Sequence, residues 1–128
     1  MQGGPCVPYI APMDLTFEDD ERTQTVVQPD LFVMCGVYRR ERRIIGVPVL
    51  VVEVLSPSTA TVDTIRKLHL YERVGVKEYW IADPDLKVLF VYQHDGQRLR
   101  FVGEVGTGTA LRSAALPDLE IDVRHVFA

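Results

Sequence analysis

The 128 residues contain only two cysteines, Cys6 and Cys35, far apart and with no CxxC spacing. That excludes a metal–thiolate cluster. It makes a reduced, cytoplasmic setting the expectation, with both residues read as buried or half-buried free thiols. Histidine is scarce too. His69, His94 and His125 have no mutual ligand spacing, so no zinc site is expected. No apolar run approaches the roughly 20 residues that cross a bilayer. The opening "MQGGPCVPYI" has neither the basic region nor the long apolar core of a signal peptide. No membrane partner is therefore expected. Positive charge is not in excess: 14 Lys and Arg stand against 18 Asp and Glu, for a net charge of −4. A general nucleic-acid coat protein, which binds through a basic surface, is disfavoured. An enzyme with a local basic patch and bound metal ions is not. P-loop, GxSxG and GxGxxG motifs are missing, and "EVGTGT" follows a hairpin strand without opening a helix. No internal repeat or low-complexity segment occurs.

What is present suits one soluble domain over residues 1–128, with 47% hydrophobic and 25% charged residues. "VPYIAPMDLTF" reads as a first strand with an edge or bulge at its prolines. The polar "EDDERTQT" is a hairpin-like connection, and "VVQPDLFVMC" reads as a second strand. "GVYRRERRIIGVP" reads as a charged loop whose Arg39, Arg40, Arg42 and Arg43 form the one dense basic cluster. "VKEYWIAD" is a strand ended by the turn signal "DPD", with Tyr79 and Trp80 as packing residues. "KVLFVYQ-HDGQ-RLRFVGEV" is a hairpin turning at Asp95-Gly96. "LPDLEIDVRHVF" closes the chain as a short strand and a helical turn. The sum is an α/β (α+β) fold, with a mixed central sheet and one principal helix.

The sharpest local anomaly is "VLVVEVL". Six aliphatic residues around Glu53 describe a strand covered on both faces, where an ionised carboxylate is costly unless paired. Alternation puts Val49, Val51, Glu53 and Leu55 on one face, and in "PDLFVM" puts Asp30, Phe32 and Met34 on one face. The helix after Glu53 runs from about Thr61 to Val74. Ser58 or Thr59 is its N-cap and Gly75 its stop. At 100° per residue, Leu68, Leu70, Tyr71 and Val74 share the sheet-facing side, with Lys67 in the middle of it. His69, Arg66, Arg73 and Glu72 face water. Lys67 could run its stem to the surface or simply pair with Asp63 at i, i+4; alternatively it reaches over the sheet to Glu53. Two carboxylates and a backbone carbonyl suit Mg²⁺, and a nearby amine could orient or deprotonate an attacking water.

These same stretches resemble a known family. "QPDLFVMC", "LVVEVLSPST", "DTIRKLHLYERVGVKEYWIADP" and "RSAALPDLEIDVRHVF" look like the Uma2 family of the PD-(D/E)xK nuclease superfamily. The resemblance covers nearly the whole chain and implies a restriction-endonuclease-like fold. It implies that Asp30 and Glu53 are metal ligands, with the Val54 carbonyl as third ligand and Mg²⁺ or Mn²⁺ as the cofactor. The superfamily's usual lysine position is occupied by Leu55. Similar family members take the lysine from the following helix, where Lys67 matches. Asp63, Tyr71 and Asp14 match family positions as supporting groups. Family members usually begin with a helical segment before the "APMDLTF" strand, whereas this chain starts almost at that strand. An apolar surface covered by a second subunit, in a homodimer, is one consequence.

The expectation is thus a Mg²⁺-dependent DNA endonuclease with Asp30, Glu53 and Lys67 as its catalytic group. The arginine cluster would contact phosphates without reading sequence. Two alternatives stay open: a non-catalytic nucleic-acid-binding or oligomerising relic, and an ion-pair core with no nucleic-acid role.

Overall fold

The computed structural model describes residues 5–18, 24–56 and 61–127. Alternating and continuous apolar runs build three sheets. The largest has six strands in the order β1 (Cys6–Ile10), β4 (Leu31–Cys35), β7 (Leu50–Val54), β8 (Glu78–Asp83), β9 (Val88–His94) and β10 (Leu99–Gly106). Within this sheet only β7 and β8 pair in parallel, as their connection requires: α1 (Thr61–Val74) crosses over between them. The mixed sheet with one α-helix among the described residues is the expected α+β architecture. The proposed N-cap, Ser58 or Thr59, lies outside the described residues. At the other end the stop is as read. Gly75 adopts φ 93°, and its N–H returns to the Tyr71 carbonyl at 3.2 Å.

Three expectations for the N-terminal half are corrected. "VVQPDLFVMC" is not one strand: Val26 and Val27 end β3 (Gln24–Val27), and after Asp30 β4 runs from Leu31 to Cys35 in another sheet. "VPYIAPMDLTF" is not one strand. It breaks at Ala11-Pro12 into β1 and β2 (Leu15–Glu18), which belong to different sheets. "GVYRRERRIIGVP" is not all loop, since β5 (Arg39–Arg40) and β6 (Ile44–Ile45) pair within it. With β3 (Gln24–Val27) they make a second sheet in the order β3-β2-β6-β5. Two-residue strands are too short to show a period, so the sequence hides them. β11 (Ala110–Arg112), β12 (Glu120–Asp122) and a 3₁₀ turn at Val123–Val126 complete the chain.

The six-stranded sheet is covered on both faces. On the inner face Leu68, Leu70, Tyr71 and Val74 of α1 pack with Phe32, Met34, Val51, Tyr79 and Ile81, so the helix stripe read from the sequence is the one buried. Glu72, expected to face water, instead accepts the Leu99 N–H at 2.8 Å. His94 takes the neighbouring role, bridging the Glu72 carbonyl at 3.1 Å and the Gly96 N–H at 2.9 Å. On the outer face Val33, Leu50, Trp80, Leu89 and Val91 meet Leu111, Val123 and the chain around them. This cover is partial. It leaves an apolar groove of about 480 Å³ between the sheet and residues 116–121. Val49 joins this outer cluster rather than Val51's face, because the strand begins only at Leu50.

The expectation of two free thiols is also corrected. β1 pairs antiparallel with β4 so that Cys6 stands opposite Cys35, and the two form a disulfide. A separation of 29 residues concealed a register that only the folded sheet displays. No helix among the described residues is long and apolar enough to cross a membrane.

Candidate active site

The site forms where β4, β7 and α1 meet, at the end of the sheet where β7 gives way to the crossover. Pro29 is buried and directs Asp30 to the surface just ahead of β4. Antiparallel pairing of β4 with β7 sets Leu31 opposite Val52, which brings Asp30 beside Glu53 and Val54. The Asp30 carboxylate accepts the Val54 N–H through Oδ2 at 2.7 Å. In return the Asp30 N–H reaches Glu53 Oε1 at 3.3 Å. The two acids are locked side by side, Asp30 by the N–H that follows Glu53 and Glu53 by Asp30's own N–H.

Glu53 is 7% exposed, so its charge needs partners, and the helix provides them. Lys67 Nζ lies 3.2 Å from Glu53 Oε2, and the Tyr71 hydroxyl donates to the same oxygen at 2.9 Å. Lys67 and Tyr71 stand four residues apart, one helical turn, and present both donors to a single acceptor. Asp63, one turn earlier, lies 3.7 Å from Lys67 Nζ. Both readings of Lys67 hold together: it pairs at i, i+4 and it reaches Glu53. Leu55, the residue just past β7, packs against the inner core.

Electrostatics fixes the protonation states. Partial burial alone would pull the Lys67 pKa down, but the Glu53 carboxylate outweighs it, with help from Asp63 and Asp30, and holds it above the ordinary lysine value. Lys67 is therefore an ammonium. Burial, reinforced by Glu53, pushes the Tyr71 phenol far above its usual range, so Tyr71 keeps its proton and acts as a donor. Tyr79 is raised in the same way by burial and then by Glu53.

These groups border a cavity of about 260 Å³ lined by Gln28, Asp30, Glu53, Val54, Leu55, Ser56, Thr64, Lys67 and Tyr79. The groove on the outer face is larger, but its lining is almost wholly apolar and carries one carboxylate, Asp118. The charged and hydrogen-bonding side chains gather at the smaller cavity. Sequence reasoning missed Gln28; its position two residues before Asp30 was the available signal. Asp14 does not line the cavity. It touches Gln28, whose Nε2 donates to Asp14 Oδ1 at 2.6 Å.

The donor chemistry fits a hard divalent cation. All the acceptors are oxygens, and the carboxylates of Asp30 and Glu53 lie side by side with Val54 at the cavity wall. Among the described residues no three His, Cys, Asp or Glu side chains gather as a ligand group. A metal here would rest on two carboxylates and neutral oxygens.

The arginine cluster divides. Arg39 is held by Glu18 at 3.0 Å and Glu41 at 2.9 Å. Arg40 lies over the Tyr9 ring, 5.6 Å from its centroid. Arg42 is exposed, while Arg43 is half-buried with its Nε enclosed and unpartnered among the described residues. The next residue, Ile44, donates its N–H to the Asp14 carbonyl at 2.8 Å, which ties this segment to the Gln28 side of the cavity.

Comparison with known proteins agrees with this architecture. The Uma2 family, described as "Putative restriction endonuclease", matches residues 1–124. A solved structure described as "a putative nuclease belonging to DUF820", from Anabaena variabilis, aligns with a TM-score of 0.69 at 20% identity. The alignment covers 95% of this chain and 68% of that one. At such identity the likeness speaks for the fold. No curated protein matches.

Proposed function

Because the chain belongs to the Uma2 family, we propose that it is a divalent-metal-dependent DNA endonuclease whose catalytic group is Asp30, Glu53 and Lys67. The observation that supports this most is the convergence of Lys67 and Tyr71 on one buried oxygen of Glu53, beside Asp30, at the wall of an open cavity. A purely structural ion pair has no need of that opening.

Asp30, Glu53 and the Val54 carbonyl would hold Mg²⁺ or Mn²⁺. Such an ion supplies Lewis acidity toward a phosphate oxygen and makes a nearby water more acidic. The remaining work falls to the chain itself. Tyr71 fixes the rotamer of Glu53 through its hydroxyl. Asp63 holds the Lys67 amine over the cavity. Lys67, being charged, does not start as a base; it orients the attacking water and donates to the non-bridging oxygens as negative charge builds on them. Water adds to phosphorus, the bond to the 3′ oxygen breaks, and a 5′-phosphate and 3′-hydroxyl remain. Arg40 and Arg42 would contact neighbouring phosphates, which positions the duplex without reading its sequence. Arg39 and Arg43 would take part less, the first being paired with two carboxylates and the second half-buried. A homodimer formed over the outer apolar groove belongs to the same proposal, and light scattering of the purified chain tests it.

The decisive experiment incubates supercoiled plasmid with the protein and Mg²⁺ or Mn²⁺, alongside Lys67→Ala and Glu53→Gln. Metal-dependent nicking that both substitutions abolish supports the enzyme. Salt-sensitive DNA binding without nicking supports the non-catalytic relic. One observation favours that second reading: Lys67 and Tyr71 already satisfy a Glu53 oxygen with protein groups alone.

A further inference from the structure

The side chains of Asp30 and Glu53 give the cavity two charged ligands and no third acid. Gln28 lines it too, along with Ser56 and Thr64. Its amide could in principle point either end inward, but its neighbour removes that freedom. An ionised carboxylate only accepts hydrogen bonds, so the group 2.6 Å from Asp14 Oδ1 must be the Gln28 NH₂. The carbonyl Oε1 is then the end of the amide not committed to Asp14. Asp14 is itself held in place, because its backbone carbonyl accepts the Ile44 N–H at 2.8 Å and it leads directly into the buried start of β2. Pro29, buried between Gln28 and Asp30, fixes the backbone that carries both side chains.

We propose that Gln28 is the third side-chain oxygen donor of the metal site, acting through Oε1 on the cation or its water shell. Asp14 is a positioning residue that works by fixing the Gln28 amide. The proposal rests on the metal-dependent reading above. A neutral third donor suits a site that already carries two negative charges beside one ammonium, and it leaves coordination positions for water and substrate. A residue that orients a ligand in this way typically changes metal affinity 10- to 100-fold when removed.

The test is Mn²⁺ affinity, read by electron paramagnetic resonance on the purified full chain, with no nucleic acid present. Gln28→Ala weakens Mn²⁺ roughly tenfold or more. Asp14→Asn, which lets the amide pair either way round, weakens it by a smaller factor. The double variant is no weaker than Gln28→Ala alone, because Asp14 acts only through Gln28. Gln28→Met keeps the stem but lacks the oxygen and matches Gln28→Ala, which guards against a folding artefact. Unchanged Mn²⁺ affinity in both Gln28 variants overturns the proposal, and strictly additive losses overturn the role of Asp14. If the wild type binds no Mn²⁺, the metal-dependent reading falls and this inference with it. If the wild type binds and Glu53→Gln does not, only the Gln28 result decides.

Discussion

Two buried glutamates on adjacent parallel strands meet opposite fates. Glu53 of β7 and Glu78 of β8 are 7% and 0% exposed and lie on opposite faces of the same sheet. Glu78 closes on neutral donors. The Ser113 hydroxyl reaches its Oε1 at 2.5 Å, and the Ala114 and Ala115 N–H groups lie 3.3 Å from its two oxygens. Ser113 Oγ accepts in turn from the Leu116 N–H at 3.0 Å. That carboxylate is a clasp for the segment covering the outer face, with no ion pair to it among the described residues. Glu53 meets an ammonium, a phenol and a second acid at the wall of a cavity. Burial of an acid is thus no sign of a site by itself; the charge and openness of what surrounds it make the difference.

The strongest way to break this contrast is Glu53→Gln. Glutamine keeps an acceptor for Tyr71 but removes the charge. Metal-dependent nicking should fall at least about a thousandfold, or about 4 kcal/mol in the barrier, while the thermal midpoint moves little. If the protein instead unfolds with no nicking to lose, Glu53 is a clasp like Glu78. The mirror experiment is Glu78→Ala. It strands a buried hydroxyl and two N–H groups and should cost about 3 kcal/mol of stability in urea titration, with activity per folded molecule unchanged. Tyr71→Phe lies between the two. It keeps the ring packing against Phe17 and Tyr79 and removes one donor to Glu53. The expected loss is about 1 kcal/mol in stability and roughly tenfold in nicking rate. Equal, small effects on both would mean that Lys67 alone orients the carboxylate.

The smallest effect belongs to the β9–β10 turn, where Asp95 bonds Arg100 and the N–H groups of Arg98 and Gln97. Arg100 first, then these N–H groups, hold the Asp95 pKa well below the ordinary carboxylate value. A depressed folded-state pKa stabilises above the unfolded value of about 3.9, and the contribution fades as the pH falls below it. Amide protection at Gln97 should fall as the pH drops below about 3.9 while protection in the core strand β8 holds. A uniform fall would show that the turn has no separate stability.

Much of this was legible in the sequence, and the exceptions have physical causes. Glu53 stood out because six aliphatic neighbours made its charge conspicuous, and Lys67 because a 3.6-residue period placed an amine among Leu68, Leu70 and Tyr71. Glu78 sits in an equally apolar strand, "EYWIAD", yet its partners lie 35 to 37 residues away in a segment with no period. The disulfide and the Gln28–Asp14 contact were hidden for the same reason: both are products of strand register. Alternation placed Asp30 on one face with Phe32 and Met34, and the family resemblance singled it out, but its exchange of backbone hydrogen bonds with Glu53 and Val54 emerges only when β4 and β7 align.

Leu55, just past the end of β7, is where an amine would share the rigidity of Glu53's own backbone; here the amine rides on α1 instead. On the proposed reading of Lys67, assembly of the sheet alone yields an inert molecule, and competence arrives only when the crossover helix seats. A slip of one residue would carry Lys67 about 1.5 Å along the axis and swing it about 100° away. Nicking, if Lys67 serves as proposed, would then report helix seating, and a ligand that pried α1 loose would silence it while leaving the strands paired.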